Sequence, residues 1–118
     1  MTTYLKIIIL ALLCLAAAGC NSEPMKTDAQ LGLNAQQARG RRVWEQRCAE
    51  CHYAYISRSL RAPSMKGLFH TPYMPSGTPA NDARVREVIL YGRSKMPSFG
   101  RTLSSEQVDD LLAYLHTL

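Results

Sequence analysis

The residues of this chain best placed to do chemistry are Cys48-Ala49-Glu50-Cys51-His52. Two thiols separated by two residues can add to the two vinyl groups of one porphyrin, and the adjacent imidazole can donate Nε2 to the iron as proximal ligand. Other chemistries use a Cys-x-x-Cys pair: a thiol redox couple, half a zinc site, or a disulfide. A redox couple should follow a strand in a βαβ pattern, and no such pattern is present. A zinc site needs two further ligands, yet there is no second Cys-x-x-Cys, and His70 and His116 stand alone. The spacing therefore points to one covalently bound haem c, with Cys48 and Cys51 as thioethers and His52 as the proximal iron ligand.

Iron held by His52 needs a second axial ligand or an open position. Lys95-Met96-Pro97-Ser98-Phe99 offers a thioether where Pro97 forces the chain out of helical geometry, so Met96 is the expected distal ligand. Met74, before Pro75, is the runner-up. Met65 is a weaker candidate, and His70 would give a bis-histidine site. With both axial positions filled, no site is left for a substrate. The iron can then only exchange single electrons, and the protein is not an enzyme. An open or labile sixth position would instead suit a gas sensor or a peroxidase-like protein.

These residues must be positioned by a short chain. Helical signals dominate, so the fold class is all-α, with three main helices and long loops. Asn34 and Gln37 form a capping-box start, predicting a helix from about Ala35 to Cys48 with Gly40 in its interior. Val85, Val88 and Ile89 mark a second helix from about Asp82 to Tyr91, stopped by Gly92. Ser104 and Gln107 cap a third, whose apolar stripe is Val108, Leu111, Leu112 and Leu115. Between the first two lies Tyr53–Asn81, with four prolines and two glycines. So long a loop makes sense if it wraps a flat cofactor rather than protein; a short helix around Ser64–Phe69 is expected within it. Tyr53, Tyr55, Tyr73 and Tyr91 read as packing residues, and His116 as a cation at a helix C-terminus.

From about Asn34 to Leu118 the chain resembles a small class I cytochrome c. The resemblance rests on Gly40, the Cys48–His52 motif, Ala62-Pro63-x-x-x-Gly67-Leu68, Gly92-x-x-x-Met96-Pro97-x-Phe99, and a last helix ending Ala113-Tyr114-Leu115. It implies the cytochrome c fold wrapped around one haem, and Met96 as distal ligand. It also implies that the Pro63 carbonyl orients the His52 Nδ1, and that the first and last helices cross with Gly40 against Tyr114. The Pro-rich Thr71–Pro79 segment is less typical of that family. The implied function is electron transfer to or from an extracytoplasmic or membrane oxidoreductase, with a dehydrogenase, an oxidase or another cytochrome as partner.

The 118 residues allow one domain, which excludes the large enzyme folds. Residues 1–19 hold 15 of the hydrophobic residues. Their apolar run, Ile7–Ala18, would rise about 18 Å as a helix against a bilayer core of about 30 Å, so it reads as an export signal rather than a membrane span. Ala17-Ala18-Gly19-Cys20 resembles the lipobox of bacterial lipoproteins, with Ala17 where that motif usually has Leu. This implies lipidation at Cys20, a tether over residues 20–33, and a membrane-anchored protein facing the periplasm or another extracytoplasmic side. Cleavage without lipidation would give a soluble periplasmic product. Of the 14 Lys and Arg only Lys6 lies in the signal, which leaves 13 against 9 Asp and Glu, a net of +4. Arg39, Arg41, Arg42 and Arg47 on the first helix, with Arg93 and Lys95 beside Met96, form a basic side suited to an acidic redox partner. Nucleic acid is not an expected partner.

Overall fold

The computed structural model describes residues 25–118, and the signal segment and Cys20 lie outside the described residues. Three helices carry the fold: α1 (Ala35–Arg47), α2 (Asp82–Tyr91) and α3 (Ser105–Leu115). Among the described residues there is no strand, only isolated bridges pairing Tyr73 with Pro79 and Arg93 with Met96. The all-α expectation is met.

Each helix starts where a side chain satisfies backbone N–H groups that have no partner within the helix. Asn34 accepts from the Gln37 N–H at 2.9 Å, and Gln37 accepts from the Asn34 N–H at 2.9 Å. Ser104 and Gln107 make the same reciprocal pair at α3. Asn81 caps α2 by accepting from the Arg84 N–H at 3.0 Å. α1 ends one residue earlier than its pattern suggests, because Cys48 is the cap residue at φ −115° and ψ −35°.

The core sits where α3 packs on α1 and α2. Val108, Leu111, Leu112, Tyr114 and Leu115 are buried from α3, Val43 and Trp44 from α1, and Val85 and Ile89 from α2. α1 is mostly polar, and it approaches α3 through a glycine. A Cβ at Gly40 would lie 1.9 Å from the Asp110 carbonyl oxygen and 2.9 Å from the Tyr114 Cβ. The expected meeting with Tyr114 is thus present, but the nearer obstacle is backbone one turn earlier on α3. Beside the crossing, Arg39 grips the buried Asp110 with two bonds, Nε to Oδ2 at 2.8 Å and Nη2 to Oδ1 at 3.0 Å.

Residues 27–33, expected to belong to a tether, form a hydrogen-bonded turn fastened to α1. Leu33 packs on the core, and Asp28 pairs with Arg41 at 2.8 Å. A run without periodicity can still fold when its polar groups find partners. The helix expected at Ser64–Phe69 is a single 3₁₀ turn displaced to Leu68–His70. The earlier residues are held otherwise: the Met65 N–H donates to the Tyr53 carbonyl and the Lys66 N–H to Ser64 Oγ.

Candidate haem site

The two cysteines leave α1 in a tight turn. The Cys48 N–H still donates to the Trp44 carbonyl at 2.8 Å, while the Cys51 and His52 N–H groups both donate to the Cys48 carbonyl at 3.0 Å. Both thiols are half-buried and unpaired with each other. Burial, and to a lesser degree the neighbouring Cys51, pushes the Cys48 thiol up to about 12. Such burial disfavours the thiolate at Cys48. Among the described residues no three His, Cys, Asp or Glu side chains gather to hold a metal ion, which opposes the zinc reading.

The long loop turns back onto this motif. The Arg61 and Ala62 N–H groups both donate to the Cys51 carbonyl, at 3.2 and 2.9 Å. That return carries the Pro63 carbonyl to 2.7 Å from His52 Nδ1. A carbonyl only accepts, so Nδ1 carries the proton and Nε2 keeps its lone pair for a metal. The ring also lies 6.2 Å, centroid to centroid, from the buried Trp44 indole.

Met96 sits in a second rigid turn. The Arg93 N–H donates to the Met96 carbonyl at 3.1 Å and the Met96 N–H to the Arg93 carbonyl at 2.9 Å, with Ser94 at φ 52°. Gly92 makes the turn fit: its φ is 75°, and a Cβ there would lie 2.6 Å from the Met96 carbonyl oxygen. Beyond Pro97, Ser98 Oγ donates to the Leu90 carbonyl, and the Phe99 and Gly100 N–H groups donate to the Ile89 and Leu90 carbonyls. The segment just after Met96 is therefore bolted back onto the end of α2.

Met65, Met74 and Met96 are all partly buried against the core, with Phe69, Leu90 and Phe99 beside them. His70 is exposed and is not among them. Met74 lies on a small hairpin, where its N–H donates to the Thr78 carbonyl at 2.8 Å. It lines a groove of about 270 Å³ together with Ser64, Leu68 and Tyr73. A larger groove of about 450 Å³, between residues 25–28 and α1, is lined mainly by charged and polar side chains and lies away from the motif. The donor set fits a covalent haem: two thiols, an imidazole with a free Nε2, and a thioether in a fixed turn. Partly buried apolar side chains supply the walls a porphyrin face requires.

The basic face expected on α1 is largely neutralised. Arg39 pairs with Asp110, and Arg41 with both Asp28 and Glu45. Arg42 lies 3.7 Å from Asp28. These acids come from elsewhere in the chain or from the next helical turn, so the four arginines seen in isolation overstate the surface charge. Arg93 and Lys95 make no ion pair among the described residues and remain exposed beside Met96. His116 does more than face a helix end: its Nε2 lies 2.7 Å from Asp82 Oδ1, and its ring stacks on Phe69 at 3.8 Å. Tyr55 joins Tyr114 hydroxyl to hydroxyl at 2.9 Å. Sequence reasoning missed these partners because they lie far apart along the chain.

Comparison with known proteins places residues 35–115 within the profile of the family described as cytochrome C oxidase, cbb3-type, subunit III. Cytochrome c6 of Rippkaea orientalis (strain PCC 8801 / RF-1) is 30% identical over 83 residues, covering 70% of this chain and 71% of that protein. The cytochrome bc1 complex cytochrome c subunit of Corynebacterium diphtheriae (strain ATCC 700971 / NCTC 13129 / Biotype gravis) is 33% identical over 82 residues. That match covers 69% of this chain and 27% of the longer protein.

Proposed function

The chain belongs to the c-type cytochrome family matched over residues 35–115, and on that premise we propose that it carries single electrons through an iron held between His52 and Met96. Membership implies a covalently bound haem c and electron transfer. Bound in this site, haem supplies a one-electron Fe(II)/Fe(III) couple.

The observation that carries the ligation is the 2.7 Å contact between His52 Nδ1 and the Pro63 carbonyl. It fixes the ring and its tautomer, and it strengthens Nε2 as a donor. Met96 is favoured over Met74 because its turn follows directly on the end of α2 and the chain just after it is tied back to that helix. The neutral thioether and the apolar side chains around it disfavour the added positive charge of the oxidised state, which raises the potential. With both axial positions filled, the chain's residues hold and insulate the iron and turn over no substrate.

Ferric absorption spectra test the ligand pair. Wild type should be low-spin with the weak far-red band of thioether ligation. Met96→Ala should lose that band, and Met74→Ala should keep it. A high-spin wild type that binds carbon monoxide rapidly would remove the carrier reading in favour of a gas-binding one.

The partner is an extracytoplasmic or membrane oxidoreductase, met on the side where Arg93 and Lys95 stand beside Met96. The name of the diphtherial relative, a subunit of the bc1 complex, supports a partner of that class. The Ala17–Cys20 motif supports export and a lipid at Cys20. Two or more acyl chains would hold the domain stably at a membrane. The intact mass of the native chain checks this: it should begin at Cys20 and carry acyl groups, and an unmodified N-terminus would leave a soluble periplasmic carrier.

A further inference from the structure

The residues ahead of α1 are fastened rather than slack. Thr27 and Gln30 cap each other: the Thr27 N–H donates to Gln30 Oε1 at 2.8 Å, and the Gln30 N–H donates to Thr27 Oγ1 at 3.2 Å. The Leu31 N–H donates to the Thr27 carbonyl and the Leu33 N–H to the Asp28 carbonyl, and Gly32 closes the turn at φ 67°. Asp28 then crosses to α1, with Oδ1 2.8 Å from Arg41 Nη1 and Oδ2 3.7 Å from Arg42 Nη1. Arg41 is nearly enclosed, and Glu45 holds its Nε at 2.9 Å. A guanidinium so placed needs both carboxylates, which makes residues 27–33 a clip on α1.

The clip shortens the reach of an anchor at Cys20. A slack chain from Cys20 to Leu33 could span about 45 Å, whereas the steps from Cys20 to Met25 span at most about 18 Å. The surface around Met25 is then kept close to lipid. It is the rim of the groove of about 450 Å³ between residues 25–28 and α1. Met25 is 77% exposed there. Lys26 is exposed and makes no ion pair among the described residues, and the Arg42 side chain is 57% exposed. An apolar tip flanked by cations suits the boundary of an anionic bilayer, where the thioether enters the headgroup layer and the cations meet phosphate.

We propose that the surface formed by Met25, Lys26 and Arg42 rests on the headgroups of an anionic phospholipid bilayer, and that the clip thereby fixes which face the domain turns to its membrane. The proposal deepens the anchoring reading and rests on a lipid at Cys20. None of the groove's residues belongs to the Cys48–His52 motif or to the Met96 turn. Contact with lipid therefore leaves Arg93 and Lys95 for the redox partner. A slack tether would hold the domain near the membrane without selecting a face; the Asp28–Arg41 pair supplies that selection.

The lysines provide the test. From Cys20 onward they are Lys26, Lys66 and Lys95 alone, and all three are exposed. The native haem-loaded protein is reconstituted into vesicles of phosphatidylcholine, with or without phosphatidylglycerol. An uncharged amine-acylating reagent is added, and the labelling rate of each lysine is read by mass spectrometry. On the phosphatidylglycerol vesicles Lys26 should be labelled several-fold more slowly than on phosphatidylcholine alone, while Lys66 and Lys95 keep their rates. Arg42→Glu should abolish most of that slowing, and high salt should do the same by screening the charges. A Lys26 rate that is equal on the two vesicle types, or slowing at Lys66 or Lys95 instead, would overturn the proposal. The intact mass of the same sample reports the acyl groups separately. An unacylated chain fails the anchoring and this proposal with it, whereas an acylated chain with an unprotected Lys26 fails the proposal alone.

Discussion

A few atoms at single residues decide the outcome at this site. His52 is fixed through a backbone oxygen, not a side chain, so the oriented ring depends on the path of the loop that brings Pro63 to it. Gly40 is the matching case in the scaffold. Its missing side chain lets the Asp110 carbonyl approach to where a Cβ would stand 1.9 Å away. Backbone cannot rotate aside as a flexible side chain can, so Gly40→Ala must push α1 and α3 apart. Overpacking in a core typically costs about 1–3 kcal/mol, and the obstacle here puts the variant at the upper end. Denaturant unfolding of the haem-loaded variant should show a lower midpoint with an unchanged slope. An unchanged midpoint would mean that the helices do not cross this closely.

The helices and the loops between them differ in what local sequence can specify. α2 occupies Asp82–Tyr91, as its apolar spacing and Gly92 predict, and both capping boxes form where their residues stand. Helix limits depend on side chains within three or four residues, so they are legible in sequence. Cys48, Cys51 and His52 are legible for the same reason: the chemistry itself fixes their spacing. The loops are not. The turn at residues 27–33 depends on Asp28 reaching Arg41, and the return of residues 61–63 depends on the Cys51 carbonyl. The Arg39–Asp110 pair spans 71 positions. Such contacts have no local signal. They also neutralise the arginines that a linear reading assigns to an open basic face. The Met96 turn lies between these cases, because Gly92 and Pro97 announce a turn without saying what the thioether meets. Gly92→Ala tests that element separately from the fold. The alanine would need φ near 75° and would press on the Met96 carbonyl, straining the turn rather than the helices. Its far-UV dichroism should match wild type, while its ferric spectrum should lose much of the thioether signature.

For the whole molecule, the decisive quantity is how little protein there is to bury. The strongest burial is concentrated in α3, where Val108, Leu111 and Tyr114 are almost fully enclosed, and thins towards the site. There Met65, Phe69, Met74, Leu90, Met96 and Phe99 are only partly covered. A domain of this length buries too small a fraction of its surface to tolerate such a margin easily, and small domains commonly need a cofactor, metal or crosslink to reach stability. A covalent haem meets that need in two ways. Held by Cys48 and Cys51, it would cover these partly buried side chains, and its two thioether bonds would keep it from dissociating. A group that packs only in the folded state stabilises that state, and covalent attachment makes the effect independent of free haem. The Cys48→Ala/Cys51→Ala double variant removes the attachment while leaving the helix N-caps and α3 untouched. Its far-UV dichroism should fall to that of a largely unfolded chain at temperatures where the haem-loaded wild type is fully helical. A double variant with native helix content and a cooperative thermal transition would show instead that α1, α2 and α3 stand on their own core, with the haem an addition to a finished fold.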